Sequence, residues 1–274
     1  MESQKEKVKS KNFLISDLTF PFFLSPFSFY LYTMYPIICS IGPFTVYSYG
    51  LMLAAAFLTG ASLIASRAKR TGLPSEAMYN LCFIGVIAGI FGARLLYVIE
   101  HFSLYRRDLL EMVMLQHGGL SWIGGFAGGS AAAWWYLAKK KIPLYPALDC
   151  IAPYLALSQA IGRIGCLLNG CCYGIHGAGC LYFPSLGDCV LPTQIYSSLL
   201  LIVIFLILRA RQERHHPPGE VFFLYLFLYS IKRFGLEFLR GDTRVILWGL
   251  KLFQYTSSAL FIVSAVMLLR LKKR

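Results

Sequence analysis

The sequence predicts an all-α integral membrane protein with about seven transmembrane helices and a small head segment outside the hydrocarbon core. Of its 274 residues, 57% are hydrophobic and only 14% are charged, whereas roughly a quarter of the residues of a soluble domain are charged. The apolar residues form runs of about 20, the length that a helix needs to cross a bilayer. Period-2 alternation is absent, which excludes a transmembrane β-barrel.

Seven of these apolar runs are predicted as membrane spans, with boundaries good to a few residues. The spans are Tyr47–Ser66, Ala77–Ile99, Ser121–Ala138, Pro143–Leu168, Thr193–Leu208, Val221–Leu239 and Leu252–Leu269. The second and third spans contain glycines three to four residues apart, which predicts that their backbones pack closely.

Basic residues follow alternate spans and set the expected orientation. They are Arg67, Lys69, Arg70, Lys139, Lys140, Lys141, Arg209, Arg211, Arg214, Arg270, Lys272, Lys273 and Arg274. Cytoplasmic loops are rich in Lys and Arg, so the C-terminus is expected in the cytoplasm and the start of the first span outside. The nearly neutral segment Gly174–Val190 then forms a small periplasmic head. The net charge of +13 comes from basic residues that cluster in these short loops and do not form a basic stripe on a soluble face. This distribution excludes nucleic-acid binding.

The N-terminal segment Met1–Thr33 has two interpretations. Its lysine-rich start and aromatic stretch fit an additional span or a signal-like segment. Alternatively, Met34 is the natural start and residues 1–33 are an extension from a mis-called start. In both cases residues 34–274 are expected to form a single membrane domain.

Ionisable residues inside the apolar runs predict a site, because such groups cost several kcal/mol unless they face a partner or a polar cavity. Arg94 and Arg163 lie near the outer ends of their spans, and Arg233, Glu237 and Arg240 share one helix face. Glu237 can form an internal ion pair with Arg233 or Arg240 that only helps the helices to pack. The remaining guanidinium groups suit a phosphate, and phospholipid head groups supply phosphate at this depth. The residues alone therefore predict a lipid-phosphate site open to the outer leaflet.

The chain resembles the prolipoprotein diacylglyceryl transferases in several motifs that occur in order. They are Ser40-Ile-Gly-Pro43, Tyr49-Gly-Leu-Met52, Gly92-Ala-Arg-Leu95, Gly118-Gly-Leu-Ser121, the stretch Gly162–Gly174 with the letters GRIGCLLNGCCYG, Pro192-Thr-Gln-Ile-Tyr196, and Arg233-Phe234 with Glu237-Phe-Leu-Arg240. Each motif is weak by itself, and the series on a seven-helix frame is specific.

The resemblance implies a multi-pass transferase of the bacterial inner membrane whose site opens toward the periplasmic leaflet. It implies transfer of the diacylglyceryl group of phosphatidylglycerol to the lipobox cysteine of prolipoprotein signal peptides, with release of glycerol phosphate. No cofactor and no metal are implied. The catalytic residues are expected to be Arg163, Arg233, Glu237 and Tyr49, and the substrate-binding residues Arg94, Asn169, Gly174 and Arg240.

Several positions depart from the family pattern. Ile123 stands where the family often has histidine, the natural acceptor of the thiol proton. Cys166, Cys171, Leu191 and Ser197 replace the usual Asn, Glu, His and Glu. The base is then Glu237, Tyr49 or a water that they hold. These changes leave two alternatives open: a paralogue for another thiol or lipid, and a non-catalytic lipid-binding or transport protein on the same scaffold.

Five cysteines lie near the head segment: Cys166, Cys171, Cys172, Cys180 and Cys189. Three interpretations are a zinc site, disulfides, and small buried thiols that replace polar residues. The spacing lacks the paired Cys-x2–4-Cys knuckles of structural zinc sites, so a disulfide among Cys172, Cys180 and Cys189 is favoured. Asp149, at the cytoplasmic end of the fourth span, is expected to be structural.

Overall fold

The computed structural model of the protein describes residues 34–41, 44–105, 110–112, 118–243, 245–247 and 249–272. Both interpretations of Met1–Thr33 lie outside these residues. The connection between the second and third predicted spans is described only in part, as one helical turn at Phe102–Tyr105 and a 3-10 turn at Leu110–Met112.

Within the described residues, seven helices are at least 18 residues long. They are α1 (Ser48–Arg70), α2 (Ser75–Glu100), α3 (Trp122–Lys139), α4 (Leu144–Leu168), α5 (Thr193–Gln212), α6 (Glu220–Leu239) and α7 (Leu252–Lys272). Each overlaps one predicted span, so the all-helical prediction is confirmed. Helices α1, α5 and α7 continue about one turn past the predicted ends. Their last turns carry Arg and Lys, which lower the hydropathy but suit the negative end of the helix dipole.

Five of the seven helices, namely α1, α2, α4, α5 and α7, are long and apolar enough to cross a membrane. Helix α3 has four glycines and three tryptophans in 18 residues, which dilute its hydropathy. Helix α6 carries Lys232, Arg233 and Glu237, more charge than an ordinary span holds. The chain is therefore a helical protein with several helices suited to a membrane, and the count of seven spans remains a prediction.

Helices α2 and α3 meet through their glycines, as predicted. A Cβ atom on Gly92 would lie 2.5 Å from the carbonyl oxygen of Gly124 and 3.1 Å from the Cα of Gly128. Gly92 and the facing Gly124 therefore have no room for a side chain. In lipid such close backbone packing replaces the hydrophobic effect as the force that holds two helices together.

Helix α4 is the centre of the bundle. Its residues belong to two buried apolar clusters, one shared with α1, α2 and α3 and the other shared with α5 and α6. The Ser158 hydroxyl donates to the Ala56 carbonyl of α1, 2.9 Å away, and the Ser198 hydroxyl of α5 donates to the Ala160 carbonyl of α4, 3.0 Å away. Because α4 packs on both sides, its C-terminal residues are held in the middle of one end of the bundle.

The basic ends of α1 and α5 meet the start of α4 at the other end of the bundle. The Arg67 guanidinium donates to Glu213 at 3.0 Å and to the Gln212 carbonyl. Buried Asp149 accepts hydrogen bonds from the amides of Gly219 and Phe222, two donors that the first turn of α6 leaves without helical partners. Asp149 is thus a helix cap supplied by another helix, and its predicted structural role is confirmed.

Three short hairpins lie among the loops: β1 (Ile37–Ile41) with β2 (Phe44–Tyr47), β3 (Leu181–Phe183) with β4 (Asp188–Val190), and β5 (Val245–Leu247) with β6 (Leu250–Lys251). These hairpins were not predictable from the sequence, because strands of two to five residues are too short to show alternation.

We call residues 169–192, between α4 and α5, the head segment. A disulfide joins Cys180 to Cys189 beside the β3–β4 pair, which confirms a disulfide within the predicted set, without Cys172.

Candidate active site

The candidate site lies at the end of the bundle where α4 and α6 finish and α5 begins. An isolated bridge pairs the backbone of Gly174 in the head segment with Arg240 at the end of α6. The amide of Gly241 donates to the carbonyl of Tyr173. These contacts fold the head segment over the ends of α4 and α6, so side chains from three helices and one loop converge.

Arg233 and Glu237 form the buried ionic centre of this site. The Nη2 atom of Arg233 lies 3.2 Å from a carboxylate oxygen of Glu237, one helical turn further along α6. The Arg233 guanidinium also lies over the Phe253 ring of α7, 4.3 Å from its centre. Glu237 is fully buried, yet among the described residues neither of its oxygens receives a well-aligned hydrogen bond. A buried carboxylate normally has such donors, so Glu237 retains the capacity to accept a proton or a hydrogen bond from a ligand.

Arg163 lies one turn before the end of α4 and is half-buried. It forms no hydrogen bond or salt bridge with any residue that the structure describes. Its charge acts on Lys232 and Arg233 of α6 and on Tyr49 of α1. A guanidinium at this depth without a carboxylate partner suits an external anion. The predicted role of Arg163 is consistent with this placement and remains a prediction.

Lys232 is a third cation of the site, and the sequence analysis missed it. It is only 7% exposed, with its Nζ 3.3 Å from the Ser197 hydroxyl of α5 and 4.6 Å from the centre of the Tyr229 ring. Neither partner carries a negative charge. Two features of the sequence could have indicated it. Lys232 is a second cation directly before Arg233 in an apolar run, and its partner Ser197 replaces the family glutamate.

Arg94 is placed differently from the prediction. It is buried, and its guanidinium donates to the carbonyls of Glu111, Met112, Gly118 and Gly119. These hydrogen bonds fasten the described parts of the α2–α3 connection to α2. The contacts do not support the predicted substrate-binding role of Arg94, which remains a prediction.

Arg240 is also paired, which corrects the expectation that a single carboxylate serves all the arginines. Its Nε and Nη2 atoms donate to the two oxygens of Asp242 at 2.8 and 2.6 Å. Burial opposes the charged guanidinium, but the hydrogen bonds to Asp242 prevail and raise the pKa of Arg240. Arg240 therefore stays charged at the rim of the site, and two of its guanidinium nitrogens are bound to Asp242.

Gly174 serves close packing in this structure. Its amide donates to the Leu191 carbonyl at 2.9 Å, so this donor is already used. A Cβ atom at Gly174 would lie 2.8 Å from the carbonyl oxygens of Leu191 and Leu239. The expectation that Gly174 offers its backbone to a substrate is thus not supported; it lets the head segment approach α6.

Tyr49 and Asn169 are the more exposed of the predicted site residues. Tyr49, in the first turn of α1, is 41% exposed, and α1 reaches α4 closely because Gly165 leaves room for Met52 and Tyr49. Asn169 ends α4 with an exposed side chain. Ile123, at the histidine position of the family, is 63% exposed on α3. The isoleucine side chain at that position cannot take a proton.

Cys166, Cys171 and Cys172 form a cluster in which the three sulfur atoms all lie within 4.8 Å of one another. Hydrogen bonds from the thiols of Cys166 and Cys171, helped by Arg240 and Arg163, hold the pKa of Cys172 well below its ordinary value despite burial. The sequence analysis considered these residues separately, because their proximity depends on the turn at Gly170.

Comparison with known proteins agrees with the motifs. The family model described as prolipoprotein diacylglyceryl transferase matches residues 36–270. The chain is 34% identical over 221 residues to a phosphatidylglycerol–prolipoprotein diacylglyceryl transferase of Clostridium tetani, covering 77% of this chain and 87% of that protein. It is 32% identical over 206 residues to a second such transferase of Clostridium perfringens, with 73% and 80% covered.

A Streptococcus pyogenes protein of the same name is 29% identical over 249 residues, with 87% of this chain and 96% of that protein covered. The match of the family model, over residues 36–270, includes every residue placed in the candidate site. On the extent of these matches, together with the ordered motifs, the chain belongs to the prolipoprotein diacylglyceryl transferase family.

Proposed function

We propose that this protein is a transferase that moves the diacylglyceryl group of phosphatidylglycerol to the lipobox cysteine of a prolipoprotein and releases glycerol phosphate. The observation that supports it best is the group of cations around the ionic centre of Arg233 and Glu237. Arg163, Lys232 and Arg233 bring three cations together beside one buried carboxylate, Glu237. Their net positive charge suits the phosphodiester of the lipid.

The reaction requires a nucleophile, a leaving group and a place for one proton. The thiolate sulfur of the substrate cysteine forms a bond to the terminal glyceryl carbon of the lipid. The bond between that carbon and the phosphate oxygen breaks, and its electron pair leaves with glycerol phosphate. Arg163 and Arg233 offset the charge that grows on the departing oxygen, which lowers the barrier most where water is excluded.

Glu237 is the best-supported acceptor of the thiol proton. It is fully buried with oxygens that lack hydrogen-bond donors among the described residues, whereas Ile123 offers no base. In this scheme Glu237, which lies beside Arg233, takes the thiol proton, and the proton afterwards leaves with the phosphate. Tyr49 and Asn169, more exposed at the mouth of the site, are assigned to orienting the substrates.

An apolar groove between α6 and α7 supports binding of a lipid. It has a volume of about 460 Å³ and is lined by Ser230, Ile231, Phe234, Gly235, Ser257, Ser258, Phe261 and Ile262. Phe234 in its lining directly follows Arg233 along α6. We place an acyl chain of the lipid in this groove and its phosphate at the cations.

The proposed setting is the bacterial inner membrane, with seven spans and the site toward the periplasmic leaflet. Two observations support this orientation. The helix ends with Arg and Lys gather at the end of the bundle opposite the site. The head segment beside the site contains the Cys180–Cys189 disulfide, a bond typical of oxidising compartments.

Replacing Arg163 by Lys tests catalysis against simple lipid binding. Lys keeps the charge but loses the bidentate fork. We expect R163K to retain binding of phosphatidylglycerol vesicles or nanodiscs within about ten-fold while glycerol phosphate release falls at least a hundred-fold, the scale on which a single oxyanion contact acts. The matched control is R209K at the other end of the bundle. Equal loss of binding and turnover would instead favour the non-catalytic lipid-binding alternative.

A further inference from the structure

The thiol cluster, which we define as Cys166, Cys171 and Cys172, has the geometry of a metal site. The three sulfur atoms lie within 4.8 Å of one another. A cation bound to three thiolates at about 2.3 Å would place these sulfurs about 3.8–4.0 Å apart. Small rotations of the side chains close that difference. None of the three is in a disulfide.

The backbone that carries the cluster is held from the first turn of α5. The Thr193 hydroxyl donates to the Cys172 carbonyl, and the Gln194 amide donates to the Cys171 carbonyl, each at 2.6 Å. Both donors are at most 3% exposed. Such second-layer hydrogen bonds orient the ligands of metal sites.

Cys172 also has a backbone conformation that side chains rarely adopt. Its φ is +65°, in the left-handed region where glycine is the usual residue. An outlier of this kind costs about 1–3 kcal/mol and is concentrated at functional sites. Here it turns the Cys172 sulfur toward those of Cys166 and Cys171.

The surroundings suit the charge of a metal–thiolate centre. Three thiolates around a divalent cation carry a net charge of −1, and a monovalent cation leaves −2. Arg163 and Arg240 both act on Cys172 and offset this charge. Ligands that are all thiolates select thiophilic ions such as Zn²⁺ or Cu⁺ over Mg²⁺ or Ca²⁺.

We propose that the thiol cluster binds one thiophilic cation, and that the open fourth position receives the sulfur of the substrate cysteine. The second part rests on the proposed transferase function. Three protein ligands with one open position is the arrangement of catalytic zinc sites. A thiol that coordinates such an ion loses its proton, and the resulting thiolate is the nucleophile. The proton passes to Glu237, and no atom changes its oxidation state.

A metal site at the thiol cluster is not excluded by the absence of paired Cys-x2–4-Cys knuckles, because that pattern concerns sequence spacing alone. It also gives a physical reason for two departures from the family pattern occurring together. Ile123 removes a base, while Cys166 and Cys171 replace polar residues with metal ligands. A cation that acidifies the substrate thiol makes the missing histidine dispensable.

Co²⁺ titration of the full-length protein in detergent tests the site directly, after reduction of free thiols and removal of metal. We expect one equivalent of Co²⁺ to bind, with thiolate charge-transfer absorption in the near ultraviolet and d–d bands of tetrahedral coordination. C166S, C171S and C172S should each weaken binding at least ten-fold. C39S, an exposed cysteine on β1, should leave the spectrum unchanged. The absence of thiolate bands in the wild-type protein would overturn the proposal without needing any variant to fold. So would an intact mass that lacks two hydrogens beyond the two lost to the Cys180–Cys189 disulfide, because these would indicate a second disulfide within the cluster.

A lipobox peptide then tests the open position. The d–d bands should shift when the peptide is added and stay unchanged with a peptide whose cysteine is replaced by serine. Zn²⁺ should restore glycerol phosphate release to the metal-free enzyme. Full release without metal would overturn the substrate-binding part while leaving the proposed transferase intact. Absence of release from both metal-free and Zn²⁺-loaded wild-type protein, with Co²⁺ bands present, would instead count against the transferase itself.

Discussion

At the scale of single residues, the site combines a buried carboxylate with several cations, and each group has its own chemical task. Glu237 is fully buried beside Arg233. Replacing Glu237 by Gln keeps its size but removes the proposed acceptor for the thiol proton. We expect the rate constant of transfer to fall by roughly 10²–10⁴, with little change in lipid affinity. E76Q, at the exposed start of α2, is the control. Transfer by E237Q within three-fold of the wild type would exclude Glu237 as the base.

Lys232 is assigned a binding role, because its Nζ has the Ser197 hydroxyl and the Tyr229 ring as partners and no carboxylate among the described residues. K232M keeps the length of the side chain and removes the charge. A charge-assisted contact contributes about 1.5–3 kcal/mol, so the Kd for phosphatidylglycerol should rise about ten- to a hundred-fold. Equilibrium binding to nanodiscs measures it, with K139M at the opposite end as control. An unchanged Kd would show that Lys232 does not contact the phosphate.

The ionisable residues were also the part of the site most accessible from sequence. Arg163, Arg233 and Glu237 stand out because charge is costly inside an apolar run. Their partners were not predictable. Arg94 is satisfied by carbonyls of a loop, and Arg240 by Asp242 two residues later. Whether a buried arginine is free depends on how nearby backbone folds, which composition does not reveal.

At the scale of helices, the α2–α3 contact depends on which glycine is changed. A Cβ on Gly92 meets the backbone of Gly124 and Gly128, whereas a Cβ on Gly85 meets nothing within 4 Å. G92A should therefore lower the unfolding temperature in detergent clearly, because backbone cannot move aside, and G85A should leave it unchanged or raise it slightly. Equal stability of the two variants would contradict the observed packing of α2 on α3.

Asp149 joins α4 to α6 by capping two amides of the first turn of α6. D149A should reduce the free energy of unfolding by about 1–2 kcal/mol, the usual effect of losing a cap. D149N keeps one acceptor oxygen and should lose less. Chemical denaturation in mixed micelles compares the two. Equal losses for D149N and D149A, both of which remove the charge, would argue that charge, rather than capping, is the contribution of Asp149.

The helices themselves were predictable because hydropathy and helix length are linked in a membrane. Each predicted span overlaps one helix, and differences of more than two residues are confined to the basic last turns of α1, α5 and α7. The thiol cluster was not predictable in the same way. Cys166 ends a helix, and Cys171 and Cys172 approach it only because Gly170 turns the chain with a φ of +72°. Contacts made by a single turn leave no periodic signal.

At the scale of the whole molecule, the bundle separates two functions between its ends. One end holds the basic helix termini and the Asp149 cap, which fix the arrangement of α1, α4, α5 and α6. The other end holds the cations, Glu237 and the head segment. In the proposed function, the lipid would enter sideways between α6 and α7, where the apolar groove lies, and the substrate cysteine would approach from the side of the head segment.

The most direct test of the central claim is transfer by the purified wild-type protein. Phosphatidylglycerol and a lipobox peptide are supplied, and released glycerol phosphate is quantified together with the mass of the peptide. The account predicts equal amounts of glycerol phosphate and of peptide that has gained one diacylglyceryl group. Folded, lipid-bound protein that releases no glycerol phosphate, with or without Zn²⁺, would contradict the account and identify this member of the family as a binding protein or as a transferase for a different substrate.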